Sequence, residues 1–380
     1  MIVIKPLGLY IHIPFCQQKC LYCDFNSYAG LDEIKEDYVA ALIKEITSYS
    51  DKLDNRIIKT VYIGGGTPTT LSSDQIDRIL EQCRKQFNFA EDCEVTIESN
   101  PGTLSGDMLS ELKTTGINRL SMGLQSANNF ELEKLGRIHR FEDFVSNFLA
   151  ARESGFDNIN VDLMFGLPDQ TLDMWFSTLH KVIELKPEHI SCYSLKVEEN
   201  TPFYSLYEKD CLPLPDEATD REMYSTAISE LNMHGYEHYE ISNFALEGRE
   251  SNHNLVYWTC GEYVGVGAGS HSYLGGERFG NIQLPREYIR AVLCGEDLVE
   301  EKALLTTEDR MAEYMFLGLR LMKGIDEKQF HLRFQKELTN IYGSQLTKLI
   351  SLGLVGKNGH NYQLTRRGID LSNQVFVEFI

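Results

Sequence analysis

Residues 8–23 read "GLYIHIPFCQQKCLYC" and join a short β-rich run to three closely spaced cysteines. The run "GLYIHI" alternates β-branched and aromatic residues and stops at Pro14, so we expect a strand over residues 8–13. Cys16, Cys20 and Cys23 follow it in the spacing CxxxCxxC. In a parallel sheet ligands gather at the carboxyl ends of the strands, so this loop marks the edge where a site is expected.

Beyond this stretch, short β-rich runs alternate with amphipathic segments of helical period up to about residue 240. The predicted strands are "GLYIHI", "IKTVYIGGG", "CEVTIES", "INRLSMGLQS", "NINVDLMFGLP" and "HISCYSLKV". The predicted helices lie near 33–49, 72–86, 105–115, 141–154 and 171–185. Six β/α steps predict an α/β fold in which helices cover a parallel sheet, either curled toward a closed barrel or left as a partial TIM-like (β/α)6 barrel.

The charge pattern changes near residue 300. Residues 301–380 hold 11 Lys and Arg against 9 Asp and Glu, whereas the whole chain has 36 against 56. This last part also predicts a helix, a turn at Gly353 and a hairpin around "KNGH", a layout similar to a winged helix. We therefore predict three parts: a barrel over 1–240, a connecting segment over 241–300 and a winged-helix-like α+β domain over 301–380.

Composition excludes several classes of function. A net charge of −20 disfavours attraction of the whole protein to nucleic-acid phosphates, so no nucleic-acid partner is expected. No apolar stretch approaches the ~20 residues that cross a bilayer, and residues 1–9 do not resemble a signal peptide, so we expect a cytoplasmic protein without disulfides. The six remaining cysteines are interpreted as small buried hydrophobic residues. These are Cys83, Cys93, Cys192, Cys211, Cys260 and Cys294.

The number of clustered cysteines limits which kind of metal or redox site the loop can form. A structural zinc site uses four ligands, and a thioredoxin-like redox pair uses CxxC alone. A [4Fe–4S] cluster presents four irons, normally held by four thiolates, so three cysteines leave one iron open to another ligand. An open iron is a reaction site. Zinc, with His12 as its fourth ligand, remains an alternative.

Polar or glycine-rich clusters follow four of the predicted strands. They are "GGGTPT" at 64–69, "ESNPG" at 98–102, "LQS" at 124–126 and "DLMFGLP" at 162–168. Each cluster alone is typical of a turn or a helix cap. Because the clusters recur at equivalent positions of successive β/α units, we predict that Glu98, Gln125 and Asp162 share one site.

"CQQKCLYC" matches the CxxxCxxC signature of the radical S-adenosylmethionine superfamily. The surrounding sequence, from about Tyr10 through the C-terminal region, resembles the branch that contains oxygen-independent coproporphyrinogen III oxidases and a family of heme chaperones, and is closest to the chaperones. The resemblance implies a radical S-adenosylmethionine barrel in which Cys16, Cys20 and Cys23 hold a [4Fe–4S] cluster. It also implies that S-adenosylmethionine chelates the open iron and that an electron donor reduces the cluster.

The resemblance also implies a S-adenosylmethionine site in the polar clusters. Glycines let the backbone approach the cofactor, and exposed amides bind its carboxylate. Glu98 suits the ribose hydroxyls or the amino group, Gln125 a neutral polar contact and Arg137 the carboxylate. Tyr22, inside the cysteine loop, is expected at the adenine. The implied contacts are Tyr10, Tyr22, Gly65, Gly66, Thr67, Glu98, Gln125, Arg137 and Asp162.

Two features separate this chain from the oxidases of the branch. In the oxidases a further cysteine follows the third cluster ligand by two residues, and here that position is Phe25. The oxidases also carry a long N-terminal extension, whereas nine residues precede Tyr10. An oxidase acting on a porphyrinogen is therefore kept as the alternative, and no catalytic residue is assigned.

The stretch "HNLVYW" over 253–258 matches an HNxxYW motif of the chaperones. The His253 imidazole is a candidate heme ligand, and Tyr257 and Trp258 offer flat apolar surface to a porphyrin. A structural role of the motif near the cofactor site is the alternative. The resemblance thus implies a heme chaperone that passes heme to an acceptor protein. A respiratory protein as the acceptor and transient association with a membrane are both compatible with this sequence. A DNA-binding regulator, through the C-terminal domain, is a third hypothesis that the acidic charge argues against.

Overall fold

The computed structural model describes residues 6–49, 53 and 56–380, so residues 1–5 of the predicted barrel lie outside the described residues. Within this part of the chain, the strands are β1 (Pro6–Ile13), β2 (Phe15–Cys16), β3 (Tyr28–Ala29), β4 (Ile57–Gly65), β5 (Asn88–Ser99), β6 (Arg119–Gln125), β7 (Ile159–Phe165), β8 (His189–Ser194), β9 (Glu237–Glu240), β10 (Asn243–Ala245), β11 (Tyr263–Val266), β12 (His271–Leu274), β13 (Glu277–Asn281), β14 (Val299–Leu304), β15 (Ile325–Asp326), β16 (Val355–Asn358) and β17 (Asn361–Leu364).

The helices of the described residues cover the sheet and build the C-terminal part. They are α1 (Lys35–Ser48), α2 (Ser73–Gln86), α3 (Gly106–Thr114), α4 (Asn129–Lys134), α5 (Phe141–Glu153), α6 (Leu172–Leu185), α7 (Pro202–Tyr207), α8 (Glu217–Met233), α9 (Asn252–Trp258), α10 (Pro285–Cys294), α11 (Thr307–Gly318), α12 (Glu327–Phe334), α13 (Leu338–Ser351), α14 (Arg366–Asp370) and α15 (Ser372–Val377). Short 3₁₀ turns precede α1 and follow β4.

The main sheet has the strand order β14-β13-β12-β11-β1-β4-β5-β6-β7-β8-β10-β9. Strands β1 and β4–β8 pair in parallel and correspond to the six predicted strands, and α1, α2, α3, α5 and α6 correspond to the predicted helices. This confirms the predicted α/β class. The sheet also continues past β1, because β11 pairs with β1 in parallel and antiparallel strands follow it.

Several helices that follow strands of the sheet begin at an N-cap residue with a short polar side chain. The hydroxyls of Ser72, Ser105 and Thr171 accept hydrogen bonds from backbone amides of α2, α3 and α6, respectively. These caps satisfy donors that have no partner inside the helix, so each helix starts at a defined residue. Strand β6 is buried along its whole length, as expected for a strand covered on both faces.

The C-terminal part has its own hydrophobic core, centred on Met315, Phe330 and Leu349. Its elements run α11–β15–α12–α13–β16–β17, and β15, β17 and β16 form a three-stranded antiparallel sheet. A Cβ at Gly324 would lie 2.0 Å from the Tyr362 carbonyl oxygen, so glycine is required where these strands meet. The predicted helix and hairpin are both present. The domain boundaries themselves stay predictions, and residues 241–300 add β10–β13 to the main sheet.

Two smaller expectations have different outcomes. Cys83, Cys93, Cys192 and Cys260 are buried, whereas Cys211 and Cys294 are exposed, so the expected burial is wrong for these two. Cys211 lies in the loop between α7 and α8, and Cys294 is the last residue of α10. Among the described helices, none has the length and apolar character needed to span a membrane.

Candidate functional site

A cavity of ≈ 380 Å³ opens at the carboxyl ends of the parallel strands. It brings together residues that are far apart in the sequence. The predicted residues that line it are Cys16, Cys20, Tyr22, Cys23, Gly65, Gly66, Thr67, Glu98, Gln125, Arg137 and Asp162. The predicted shared site of Glu98, Gln125 and Asp162 is therefore present as one cavity.

The cysteine loop forms one wall of this cavity. Parallel pairing of β2 with β3 closes the loop, and the Lys19 ammonium donates to the carbonyl oxygens of Phe25 at 3.0 Å and Ser27 at 3.2 Å. The ring of His12 hydrogen-bonds through Nε2 to the Asn26 carbonyl oxygen at 2.8 Å. His12 therefore supports the loop from the strand below, and both of its ring nitrogens are engaged, the other with the Tyr10 hydroxyl at 3.0 Å.

The glycine-rich segment after β4 packs directly against the cysteine loop. A Cβ at Gly66 would lie 2.6 Å from the Phe15 carbonyl oxygen and 3.1 Å from Cys16 Sγ. At Gly65 the backbone has φ of +114°, and a Cβ would lie 2.4 Å from the His12 ring. These positions need glycine because the backbone of one loop touches the other.

Glu98 is the penultimate residue of β5 and lines the cavity. Its Oε1 accepts from the Tyr62 hydroxyl at 2.8 Å, and its Oε2 accepts from the Gly65 amide at 3.1 Å. Burial raises the pKa of Glu98 to about 7; the Tyr62 hydrogen bond lowers it and the charge of Asp162 raises it. Near neutral pH this carboxyl group therefore exchanges between two charge states, and a cationic ligand group would favour the ionised form.

Arg137 lies across the cavity, beside the cysteines. Its guanidinium donates to Asn100 Oδ1 at 2.7 Å, to the Gly123 carbonyl oxygen at 2.5 Å and to Cys20 Sγ at 3.5 Å. Asp162 is held by the Ser121 hydroxyl at 3.0 Å. A fixed cation beside a thiol stabilises negative charge on the sulfur, as a cluster ligand requires.

Three buried side-chain polar atoms of the cavity wall have no hydrogen-bond partner among the described residues. They are Ser27 Oγ, Gln125 Oε1 and Arg137 Nε. Gln125 also has a φ of +67°, which a residue with a side chain rarely adopts. Unpaired buried polar atoms are costly, so they indicate a ligand with polar groups of its own. Together with the three thiols and the glycine segment, the wall fits a [4Fe–4S] cluster and S-adenosylmethionine.

Four predicted residues are not among the described residues that line the cavity. Tyr10 lies behind Tyr62, with ring centroids 6.3 Å apart. His253 is 1% exposed, and its Nδ1 and Nε2 engage the Thr60 hydroxyl at 2.9 Å and the Tyr257 hydroxyl at 2.8 Å. In this arrangement neither nitrogen is free to bind a heme iron, so heme ligation by His253 stays a prediction that this structure does not support.

The third heme candidate, Trp258, lies at the other end of helix α9. Its ring is covered by the Arg320 guanidinium, which lies 4.3 Å from the ring centroid. Tyr257 is engaged by His253, as described above. The structure thus keeps the HNxxYW residues together on one helix but separates them from the cavity.

The sequence interpretation missed several residues of the cavity wall. Asn100 lies inside the quoted "ESNPG" cluster, and Tyr62 lies in the strand before the glycines. Tyr193, Ser194 and Lys196 end or follow the sixth predicted strand. The rule that sites form at the carboxyl ends of strands, applied to this last strand too, would have found them.

Comparison with known proteins agrees with this geometry. Residues 10–182 match the Radical SAM superfamily, and residues 305–371 match the HemN C-terminal domain. A radical SAM domain implies a [4Fe–4S] cluster and S-adenosylmethionine, so these two cofactor predictions are confirmed.

Two relatives that are similar over their full length have the same name. The chain is 41% identical to "Heme chaperone HemW" of Bacillus subtilis, covering 98% of both chains. It is 34% identical to "Heme chaperone HemW" of Escherichia coli, covering 100% of both. Among solved structures, the coproporphyrinogen III oxidase HemN from Escherichia coli, described as a radical SAM enzyme, has a TM-score of 0.87 and 26% identity, over 99% of this chain and 90% of that one.

Replacing Glu98 by Gln is expected to change how stability depends on pH. The raised pKa of Glu98 means that the folded state holds its proton more tightly than the unfolded state. That stabilisation is fully present below about pH 4.5 and is lost as pH rises through about 7. The Gln variant does not titrate there. Between pH 5 and pH 8, the cluster-free wild type should therefore lose roughly 2–3 kcal/mol relative to the Gln variant.

Denaturant unfolding of both proteins at pH 5 and pH 8 measures this difference. Glu199→Gln, which changes an exposed carboxylate, is the control. A difference between wild type and the Glu98 variant that does not change with pH would show that the carboxyl group titrates normally.

Removing one cluster cysteine tests the assignment of the three thiols. After anaerobic reconstitution, Cys20→Ala should lack the full [4Fe–4S] absorption and iron content, because two thiolates leave the cluster without its third anchor. Cys211→Ala removes an exposed thiol outside the cavity and should reconstitute like the wild type. A complete cluster in Cys20→Ala would contradict the assignment.

Proposed function

This chain belongs to the HemW family of radical SAM proteins, and on that basis we propose that it is a heme chaperone that binds heme and passes it to an acceptor protein. The observation that carries the proposal is the similarity over the full length to proteins named heme chaperone, at 34–41% identity. The cavity adds a second support, because its cysteine loop and polar wall fit the cofactors of the superfamily.

In the cofactor site, Cys16, Cys20 and Cys23 would hold the cluster. When bound, the cluster supplies an electron to S-adenosylmethionine at its open iron. The residues of this chain would orient the cofactor: Glu98 would accept a hydrogen bond from its amino group or ribose, and Arg137 would pair with its carboxylate. The amides of the glycine segment and the side chains of Gln125 and Asp162 would complete the contacts.

Heme has two candidate places, which differ in accessibility. In the HNxxYW helix, both ring nitrogens of His253 are hydrogen-bonded and the Trp258 ring is covered by Arg320. At the mouth of the cavity, by contrast, Phe25 is 64% exposed and Tyr193 is 39% exposed, and Met164 lies in the same wall. Exposed aromatic faces beside a cavity suit a flat tetrapyrrole. Phe25 is also the residue that replaces the additional cysteine of the oxidases.

Other partners follow from the proposed chemistry. A cluster that is reduced needs an electron donor, and a chaperone needs an acceptor for its heme. A respiratory protein is a suitable acceptor, and a transient contact with a membrane would bring the chaperone to it.

Titration with hemin tests heme binding and its place together. Wild-type protein should bind hemin, and Phe25→Ala should bind it roughly tenfold more weakly, because one aromatic stacking surface is lost. Phe130→Ala, which removes an aromatic ring exposed on α4, is the matched control. No hemin binding by the wild type would overturn the chaperone proposal. Loss of binding in His253→Ala, with Phe25→Ala unaffected, would instead place heme at the HNxxYW helix.

An oxidase acting on coproporphyrinogen III is the second candidate function, and the similarity to the HemN structure favours it. Phe25, in place of a cysteine, argues against it. Incubation of reconstituted protein with coproporphyrinogen III, S-adenosylmethionine and a reductant should leave the porphyrinogen unchanged. Formation of protoporphyrinogen IX would replace the chaperone proposal with the oxidase.

A further inference from the structure

Helix α9, which carries the HNxxYW residues, packs against β4 and is hydrogen-bonded to β5 at its start. The carboxylate of Glu94, on β5, accepts from the backbone amides of Asn252 at 3.2 Å and His253 at 3.1 Å. Ser251 caps the helix and is fully buried. The helix start is therefore anchored to the middle of the parallel sheet, and the direction of the His253 side chain is fixed.

The His253 imidazole is built into a stack of three rings. Its centroid lies 5.2 Å from that of Tyr62, at an interplanar angle of 29°, and 6.4 Å from that of Tyr10. Tyr10 and Tyr62 stack on each other at 6.3 Å. A Cβ at Gly8 would lie 3.4 Å from His253 Cε1, so the glycine leaves the space that the imidazole occupies. Burial lowers the pKa of His253 to about 3, so the ring is neutral.

The two tyrosines of the stack connect to different parts of the cavity wall, Tyr62 directly and Tyr10 through His12. The Tyr62 hydroxyl donates to Glu98 Oε1 at 2.8 Å. The Tyr10 hydroxyl bonds to the His12 ring at 3.0 Å, and that ring bonds to the Asn26 carbonyl oxygen in the cysteine loop at 2.8 Å. One arm therefore ends at the cavity acid, and the other ends at the loop that carries the cysteines.

We propose that His253 is a positioning residue. Its ring supports the Tyr10–Tyr62 pair and thereby keeps Glu98 and the cysteine loop in the positions that bind S-adenosylmethionine. The inference rests on the cofactor part of the proposed function and is independent of where heme binds. It assigns the HNxxYW histidine to the cofactor site, one layer behind the residues that line it. Such supporting residues preserve the geometry of the groups that contact a ligand.

Replacing His253 by phenylalanine distinguishes this role from heme ligation, because a phenyl ring has no nitrogen atom that can bind iron. His253→Phe keeps a flat ring in the stack but cannot ligate iron, whereas His253→Ala removes both. A positioning ring predicts that Phe preserves most of the affinity for S-adenosylmethionine and that Ala does not. A heme ligand predicts that both variants lose heme and leave S-adenosylmethionine unaffected.

The experiment measures two affinities on cluster-loaded protein: S-adenosylmethionine by equilibrium dialysis and hemin by absorption. For S-adenosylmethionine, His253→Ala should bind about tenfold more weakly, and His253→Phe within about threefold of wild type. Both variants should bind hemin like the wild type. The EPR spectrum of the reduced cluster should change on adding S-adenosylmethionine in wild type and His253→Phe, and much less in His253→Ala.

Two further variants complete the design. His238→Ala removes a histidine that stacks on Phe244 at 4.5 Å at the far edge of the sheet, and it should not change either affinity. Tyr62→Phe keeps the stack and removes only the hydroxyl that reaches Glu98. It should weaken S-adenosylmethionine binding, and it provides the test if the His253 variants do not fold.

The outcomes separate the inference from the function on which it rests. A wild type that binds no S-adenosylmethionine overturns the cofactor assignment and the inference with it. A wild type that binds it, while His253→Ala and Tyr62→Phe bind equally well, overturns the inference alone. Loss of hemin in both His253 variants, with unchanged S-adenosylmethionine affinity, also overturns it.

Discussion

The parallel register of β1 with β4 is the constraint on which the rest of the site depends. It places Tyr10 beside Tyr62 and brings the end of β1 level with the glycine segment that ends β4. The cysteine loop leaves β1 at this point, and its backbone is hydrogen-bonded to the glycine segment: the Gly66 amide donates to the Ile13 carbonyl oxygen at 2.9 Å and the Thr67 amide donates to that of Phe15 at 2.7 Å. A slip by one residue would turn every side chain of β1 to the opposite face. The stack, the acid and the thiols would then no longer face one another.

The interior behind the cavity contains buried charged residues. Burying a charge costs free energy, and this cost is smaller where an opposite charge lies nearby. Arg119 is 1% exposed and lowers the pKa of His253, in addition to the larger effect of burial. The same cation lowers the pKa of Glu98, against the larger effect of burial. Buried charges stabilise a fold poorly unless they are balanced, and here the Arg119 cation favours the ionised form of Glu98. Polar groups retained at such a cost are typical of functional sites.

Helix α9 also connects the cavity to the C-terminal part. His253, near its start, contacts the ring stack, and Trp258, at its end, packs under Arg320. Arg320 in turn pairs with the buried carboxylate of Glu240. Just past the helix, Arg333 donates to the carbonyl oxygen of Thr259 at 3.0 Å and also to that of Cys260. The HNxxYW motif thus packs on both sides, which explains why a histidine and two aromatic residues occur together in a helix of seven residues.

The sequence by itself determined the alternation of strands and helices, the cysteine spacing and the shared position of Glu98, Gln125 and Asp162. These features are local: hydrophobic period, turn residues and ligand spacing are visible along the chain. Only the tertiary structure decided the place of His253, because a histidine beside aromatic residues suits both a heme ligand and a packed core residue. The partners that distinguish these roles, Thr60 and Tyr62, lie almost 200 residues away in the chain and meet His253 only when β4 and α9 pack together.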